Sequence, residues 1–318
     1  MLFDFLQKQG APVELAELMM ELSRGVEEIS RTIIHESTGK AGTTNSFGEE
    51  QIAMDVEADK IMARILSTNP YVVAYCSEEM DAMGQGMASV AKGEDGAGHV
   101  YSVFHDPIDG SSLFDVNFSV GTIVGIFEGG EVLGCTPREQ VAAFYAVYGP
   151  RTTLVLSVGT GVHEFLLTME GWVLQGNLQM VRVDRVVDGS GSASYKRYFA
   201  PGNLRATAER EDYLALVNDY IKEKYTLRYS GGMVPDVHHM LKKGSGIFMY
   251  PGMPSAPEGK LRLLYECGPM AYLVEQAGGA SSNGVVSILD LPITGLTQRT
   301  PVYLGTPKEV ERCAKALV

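Results

Sequence analysis

The stretch Asp106-Pro107-Ile108-Asp109-Gly110-Ser111-Ser112 constrains this chain more than any other. Before it, His99 to Phe104 reads as a short buried strand; after it, Val116 to Phe127 reads as another, rich in Val, Ile and Phe. The chain must therefore place two carboxylates, three residues apart, between two buried strands. Pro107 fixes the backbone angle between the acids, which lets them converge on one point. Gly110 lets the amides after it turn toward a bound anion. Hard divalent cations take oxygen-only ligand sets of this kind, and magnesium in particular is held by few carboxylates plus substrate phosphate. A metal-assisted phosphoryl site is one reading. An Asp-Pro turn closed by Asx hydrogen bonds is the other, and the stretch alone leaves both open.

A chain of 318 residues can bury a substantial core, and its length suggests about two domains. With 45% hydrophobic and 20% charged residues, nothing points to disorder or low complexity. The net charge of −13 argues against a general nucleic-acid binder and against docking on anionic membranes. It is compatible with a phosphorylated substrate only if cations shield the site, although a solvated acidic surface accounts for the balance equally well. Cys76, Cys135, Cys267 and Cys313 are widely spaced with no CxxC, so they read as free thiols in a reducing compartment. The opening Met1 to Leu6 does not read as a signal peptide, and no apolar run reaches membrane-spanning length. A cytoplasmic location is expected.

In chain order, Leu15, Leu18, Met19, Leu22, Val26, Ile29 and Ile33 mark one face of a helix over residues 13–36. A second helix is predicted over 49–66, with Glu49 and Glu50 in a first turn whose dipole favours acids. Asp55 lies mid-helix near the buried edge. The run Tyr71 to Cys76 ends in Ser77-Glu78-Glu79, acids at the point where a strand gives way to a loop, which suits either ligands or a solvated turn. Strands are predicted over 141–148, 152–158 and 162–168. The polar, glycine-dotted Val186 to Ser194 marks a boundary between halves at 1–190 and 195–318. Helices over 211–224 and 234–241 and a strand over 247–250 follow. The adjacent His238 and His239 point different ways on a helix and read as structural. Glu266, beside Lys260 and Arg262, lies ahead of a helix that Pro269 opens and Gly278-Gly279 ends, and it reads as an ion-pair partner or a metal ligand. A strand over 302–305 and a helix over 307–317 close the chain.

Four blocks, in this order and spacing, resemble the class I fructose-1,6-bisphosphatase family: Asn45 to Gln51, Ser77 to Glu79, Asp106 to Ser112, and Lys260 to Gly279. Within it the chain is more similar to sedoheptulose-1,7-bisphosphatases. The resemblance implies an α/β fold layered α-β-α-β-α, with most metal ligands in the first half and the sugar-phosphate site and Glu266 in the second. It implies that Glu78, Asp106, Asp109 and Glu266, with the Ile108 carbonyl, hold two or three magnesium ions, manganese being an alternative. Glu49 stands where the family usually has Asp. Asp55 and Glu79 correspond to the acids that orient and deprotonate the attacking water. The Gly110, Ser111 and Ser112 amides would hold the reacting phosphate. Asn203, Arg205, Arg228, Tyr229, Met233, Tyr250 and Lys260 would face the sugar and its second phosphate, with Arg228 reaching a neighbouring active site in a homodimer or homotetramer.

The substrate is the divided point. Fructose-bisphosphatases usually carry a Tyr three residues after the Asn, where this chain has Ala206, and a small residue there leaves room for one more carbon. Pro201 to Thr207, Tyr148 to Thr153, His163 to Leu167 and Glu223 to Tyr229 look like the sedoheptulose enzyme; Tyr250-Pro251 and Leu264 to Cys267 look like the fructose enzyme. The expected reaction is magnesium-dependent hydrolysis of the 1-phosphate of sedoheptulose 1,7-bisphosphate, with fructose 1,6-bisphosphate as the alternative or second substrate. Thr38 and Thr43 replace the two regulatory cysteines of chloroplast sedoheptulose-bisphosphatases, and Val100 replaces the Lys of the AMP-site Lys-Tyr pair (Tyr101 remains). Neither thiol switching at that site nor AMP inhibition is expected.

Overall fold

The computed structural model describes residues 2–35, 40–44, 50–80, 98–180 and 197–317. Helices α1 (Leu2–Lys8) and α2 (Val13–His35) lead into a small antiparallel pair, β1 (Lys40–Thr44) and β2 (Glu50–Ile52). Helix α3 (Ala53–Thr68) follows directly, so Glu50 belongs to a strand rather than to a helical first turn. The physical reason is pairing: β2 meets β1, with Thr44 opposite Glu50 and Lys40 opposite Ile52.

A seven-stranded sheet then forms from β3 (Val72–Ser77), β4 (Tyr101–Asp109), β5 (Val120–Glu128), β6 (Gln140–Tyr148), β7 (Thr152–Ser157), β8 (Val162–Thr168) and β9 (Gly171–Leu178), in that spatial order. Only β3 and β4 are parallel; the rest is an antiparallel meander. The alternation of side chains along each strand sorts residues to two faces. Val103, Val124 and Phe144 pack under α1 to α3, whereas their neighbours Phe104, Ile123 and Tyr145 face the opposite layer.

The second half contributes β10 (Tyr198–Pro201), α4 (Glu211–Lys222), β11 (Thr226–Leu227), α5 (Met233–Lys243), β12 (Ile247–Tyr250), α6 (Gly268–Gln276), β13 (Ala280–Ser282), β14 (Val302–Gly305) and α7 (Pro307–Ala316). Its five strands run in the order β11-β10-β12-β14-β13. One face, through Ala200, Phe248, Val302 and Leu304, joins the core that holds Val234 and Val237 of α5 and Met270 and Leu273 of α6. The other face, through Phe199, Ile247, Met249 and Tyr303, packs on Tyr213 and Leu216 of α4 and Val310 of α7. Five layers result: α1–α3, the large sheet, α5 with α6, the small sheet, and α4 with α7. This is the α-β-α-β-α order expected from the sequence. Each fully buried side chain such as Phe104, Phe144 or Phe248 contributes about 1.5–3 kcal/mol to holding the layers together.

Besides the β1–β2 pair, the short strands β10, β11 and β13 have no counterpart in the sequence reading, and two longer elements also depart from it. The strand expected from Val116 begins at Val120, because a 3-10 turn at Ser111–Leu113 and the loop after it occupy the interval. Strand β9 was not anticipated; Gly171–Leu178 is a half-exposed sheet edge rich in Gly, Gln and Asn, which carries little apolar alternation. No helix among the described residues is long and apolar enough to cross a membrane.

Candidate active site

The acids of the Asp106–Asp109 stretch lie inside β4 rather than in a turn beyond it. In a regular strand, residues three apart point to opposite faces. Here Asp106 pairs with Ile123 while Asp109 pairs with Gly121, so one extra residue is accommodated between them. Pro107 has no N–H to give to a ladder, which favours such a bulge, and its carbonyl instead accepts from Thr122 Oγ1 at 2.7 Å. The bulge flips the parity of the strand. Ile108 turns into the core under α1–α3, and Asp106 and Asp109 turn together toward α5 and α6.

There the two carboxylates meet Glu266, and ligand oxygens of all three lie within 4.8 Å of one another. Each is buried and held by a backbone amide. Asp106 Oδ1 accepts from Ile108 N at 3.0 Å, and Asp109 accepts from Val234 N at 2.7 Å and Met233 N at 3.3 Å, the first amides of α5. Glu266 Oε2 accepts from Arg262 N at 2.6 Å across a single π turn, Leu263–Cys267, that precedes α6. Burial pushes the Asp109 carboxyl up to about 6 despite the Val234 and Met233 amides. Burial, followed by the charges of Glu266, Asp109, Glu79 and Asp55, pushes Asp106 well above the carboxylate range. Like charges this close cannot all ionise without a cation between them. The donor set is oxygen-only and hard, which fits magnesium or manganese rather than zinc or a soft metal.

The three acids line a cavity of about 230 Å³, together with Glu78, Glu79, Ile108, Gly110, Ser111 and Ser112. Gly110 adopts φ 80°, and a Cβ there would lie 3.4 Å from the Gly232 Cα, so the turn that aims the Ser111 and Ser112 segment requires glycine. Glu78 forms an ion pair with Arg262, whose guanidinium is almost fully buried. Met233 and Tyr250 line the same cavity.

The remaining predicted residues sit further out. Asp55 is buried on α3, near enough for its charge to act on Asp106, but it does not line the cavity. Asn203 is buried beside the cavity-lining Gly202, with Nδ2 3.2 Å from Met253 Sδ. Arg228 donates from Nε to His239 Nε2 at 3.2 Å and lies over the Tyr198 ring. Arg205, Tyr229 and Lys260 are exposed. Glu49 lies outside the described residues, as does the 186–194 segment.

Sequence reasoning missed Gly202, Gly231, Gly232, Phe248 and Leu261, all in the cavity wall. The Gly231-Gly232 pair just before α5 is a signal that could have been read. Its turn is shaped by Asp236, which accepts from Ser230 N at 3.1 Å. Ala206 is fully buried in the core between the small sheet and α4, alongside Phe199 and Tyr213, and does not line the cavity.

The sequence as a whole matches the models of the fructose-1,6-bisphosphatase N-terminal domain over residues 4–176 and C-terminal domain over residues 193–318. The chain belongs to the fructose-1,6-bisphosphatase family. It is 42% identical to a class 1 fructose-1,6-bisphosphatase of Trichlorobacter lovleyi over 317 residues, 98% of this chain and 93% of the relative. It is equally 42% identical to the chloroplastic sedoheptulose-1,7-bisphosphatase of Spinacia oleracea, over 99% of this chain and 77% of the relative. Among solved structures, a Toxoplasma gondii chain assigned as a sedoheptulose-1,7-bisphosphatase superposes with a TM-score of 0.87 at 31% identity, covering 99% of this chain and 98% of that one. The Leishmania major fructose-1,6-bisphosphatase in its holo form gives 0.85 at 31% identity, covering 99% and 97%. The chain is accordingly a sugar bisphosphatase, a phosphoric monoester hydrolase.

Proposed function

We propose that this bisphosphatase hydrolyses the 1-phosphate of ketose bisphosphates in a divalent-metal-dependent reaction, with fructose 1,6-bisphosphate as its main substrate and sedoheptulose 1,7-bisphosphate as a second. The observation that carries the reading is the buried triad of Asp106, Asp109 and Glu266 in a cavity whose wall continues through Gly110 to Ser112. Fructose 1,6-bisphosphate is placed first because relatives at 42–43% identity include several class 1 fructose-1,6-bisphosphatases. The sedoheptulose reading keeps its place through the equal identity to the spinach relative.

In this reading Glu78, Asp106, Asp109 and Glu266, with the Ile108 carbonyl and Glu49, hold two or three magnesium or manganese ions. Bound metal would polarise the phosphoryl oxygens, acidify water and neutralise the leaving alkoxide. The amides of Gly110, Ser111 and Ser112 cradle the equatorial phosphate oxygens. Asp55 and Glu79 orient the attacking water and take its proton. Met233 and Tyr250 bound the sugar, and Asn203, Arg205, Arg228, Tyr229 and Lys260 take the distal phosphate, Arg228 from the neighbouring subunit of a homo-oligomer. Arginine suits that task because its planar fork matches phosphate oxygens. The two sheets, read as halves on either side of residues 190–195, meet at the cavity, and the enzyme works in the cytoplasm.

The test is phosphate release from the two esters side by side with magnesium. Both should be hydrolysed, with kcat/KM for the fructose ester at least equal to that for the sedoheptulose ester; a clear advantage for the latter reverses the substrate order. Asp109→Ala should abolish turnover of both, and substantial residual activity would sink the metal-site reading.

A further inference from the structure

Directly behind the cavity, on the opposite face of the large sheet, lies a polar cluster that the proposed chemistry does not use. Ser77 and His105 are the last paired residues of the parallel strands β3 and β4. They are 1% and 0% exposed. Immediately after them the chains deliver Glu78-Glu79 and Asp106 to the cavity. Asp59, one turn after Asp55 on α3, reaches both strand ends. Its Oδ1 lies 3.5 Å from His105 Nε2. Against the upward push of burial, His105 and then the nearby Ser77 hydroxyl hold the Asp59 carboxyl below its usual range. Ser77 Oγ in turn accepts from the Glu79 amide at 3.1 Å, and the His105 carbonyl accepts from the Glu78 amide at 3.0 Å.

Ser77 Oγ spends a lone pair on the Glu79 N–H, which leaves its single proton available to the Asp59 carboxylate, a group that when ionised can only accept. Apolar side chains would fill the same space without the desolvation penalty of the fully buried His105 and the partly buried Asp59, so stability alone does not call for this pair here. What the cluster does specify is where the Ser77–Glu79 turn leaves the sheet.

We infer that Asp59 is a positioning residue, which through Ser77 and His105 sets the backbone from which Glu78, Glu79 and Asp106 reach the metal and the attacking water. The inference rests on the roles proposed above for those three acids. Partners that hold a metal-site residue in place are worth about 10- to 100-fold in activity or metal affinity.

The experiment compares Ser77→Ala, Ser77→Thr and the double variant Asp59→Leu/His105→Leu, each in steady-state kinetics, in thermal melts and in calorimetric titration with magnesium. Ser77→Ala and the double variant should lose about 10- to 100-fold in kcat or magnesium affinity with little change in KM for the bisphosphate. The double variant should melt no lower than the parent, because a buried imidazole and a partly buried carboxylate have been exchanged for apolar packing. Ser77→Thr, which keeps the hydroxyl, should restore most of the loss. Parent-like kcat and magnesium affinity in folded Ser77→Ala overturns the inference. So does an activity loss that follows a fall in melting temperature and is not rescued by Ser77→Thr. If the double variant does not fold, the Ser77 pair decides alone. Failure of the functional reading is seen separately, as retained activity in Asp109→Ala.

Discussion

Removing divalent metal should destabilise the folded chain by an amount the site itself sets. Asp106, Asp109 and Glu266 are buried within 4.8 Å of one another, and burial, then the charge of the neighbours, already pushes the Asp106 carboxyl upward. A cation that binds only the folded state stabilises it by about 2.7 kcal/mol when its concentration is 100 times its dissociation constant. At about 2.1 cal/mol/K per residue, a 318-residue chain unfolds with an entropy near 0.67 kcal/mol/K. The ratio of the two predicts a melting temperature about 4 °C higher in saturating magnesium or manganese than in chelator. Scanning calorimetry with the protein in EDTA, then with each metal added in excess, measures it. The paired control is Asp106→Asn/Glu266→Gln. This variant removes like-charge repulsion, so in chelator it should melt at or above the parent, and its metal-induced rise should vanish. A parent whose melting temperature ignores both metals, or a double variant that keeps the full rise, refutes the assignment of the cation to these acids.

Three further outcomes follow from the packing. A Cβ on Gly121 would lie 2.5 Å from Val234 Cγ1 and 2.6 Å from the Ala146 carbonyl, so Gly121→Ala should cost about 1–3 kcal/mol in denaturant unfolding and lower kcat by displacing the α5 amides from Asp109. Glu164 is almost fully buried and ion-paired with Lys242, so Lys242→Met should destabilise by about 1–3 kcal/mol, less than for a wholly buried pair because Lys242 is 44% exposed, and adding Glu164→Gln should recover part of it. Burial pushes His238 down to about 4, so below pH 6.5 the unfolded chain takes up a proton that the folded chain refuses. That stability is present above pH 6.5 and is lost as pH falls toward 4, by about 3 kcal/mol in total; His238→Gln should flatten this part of the pH–stability curve.

The parts legible in the sequence were those governed by neighbours along the chain. Apolar alternation and runs marked β3 to β8, because a strand that is buried on one or both faces must show it in its residues. The 3.6-residue spacing of Leu15, Leu18, Leu22 and Ile29 marked α2 for the same reason. Edge strand β9 escaped, since half its side chains face outward and need no pattern. The residue types in Asp106 to Ser112, with Glu78 and Glu266, offered a metal-assisted phosphoryl site as one reading, and the resemblance carried by four blocks of sequence selected it.

What tertiary structure decided is where those groups point and what shares their space. The bulge that turns Asp106 and Asp109 to one side depends on pairing with Ile123 and Gly121, which sequence spacing does not contain. The two α5 amides on Asp109, the Arg262 charge beside Glu78 and the burial of Ala206 come from segments more than a hundred residues away or from another layer. Asp59, which nothing in its neighbouring sequence singles out, meets His105 only because α3 packs against β4. Local sequence sets which groups are available; packing of the five layers sets which of them meet, because burial and like-charge proximity exist only once distant segments close over one another.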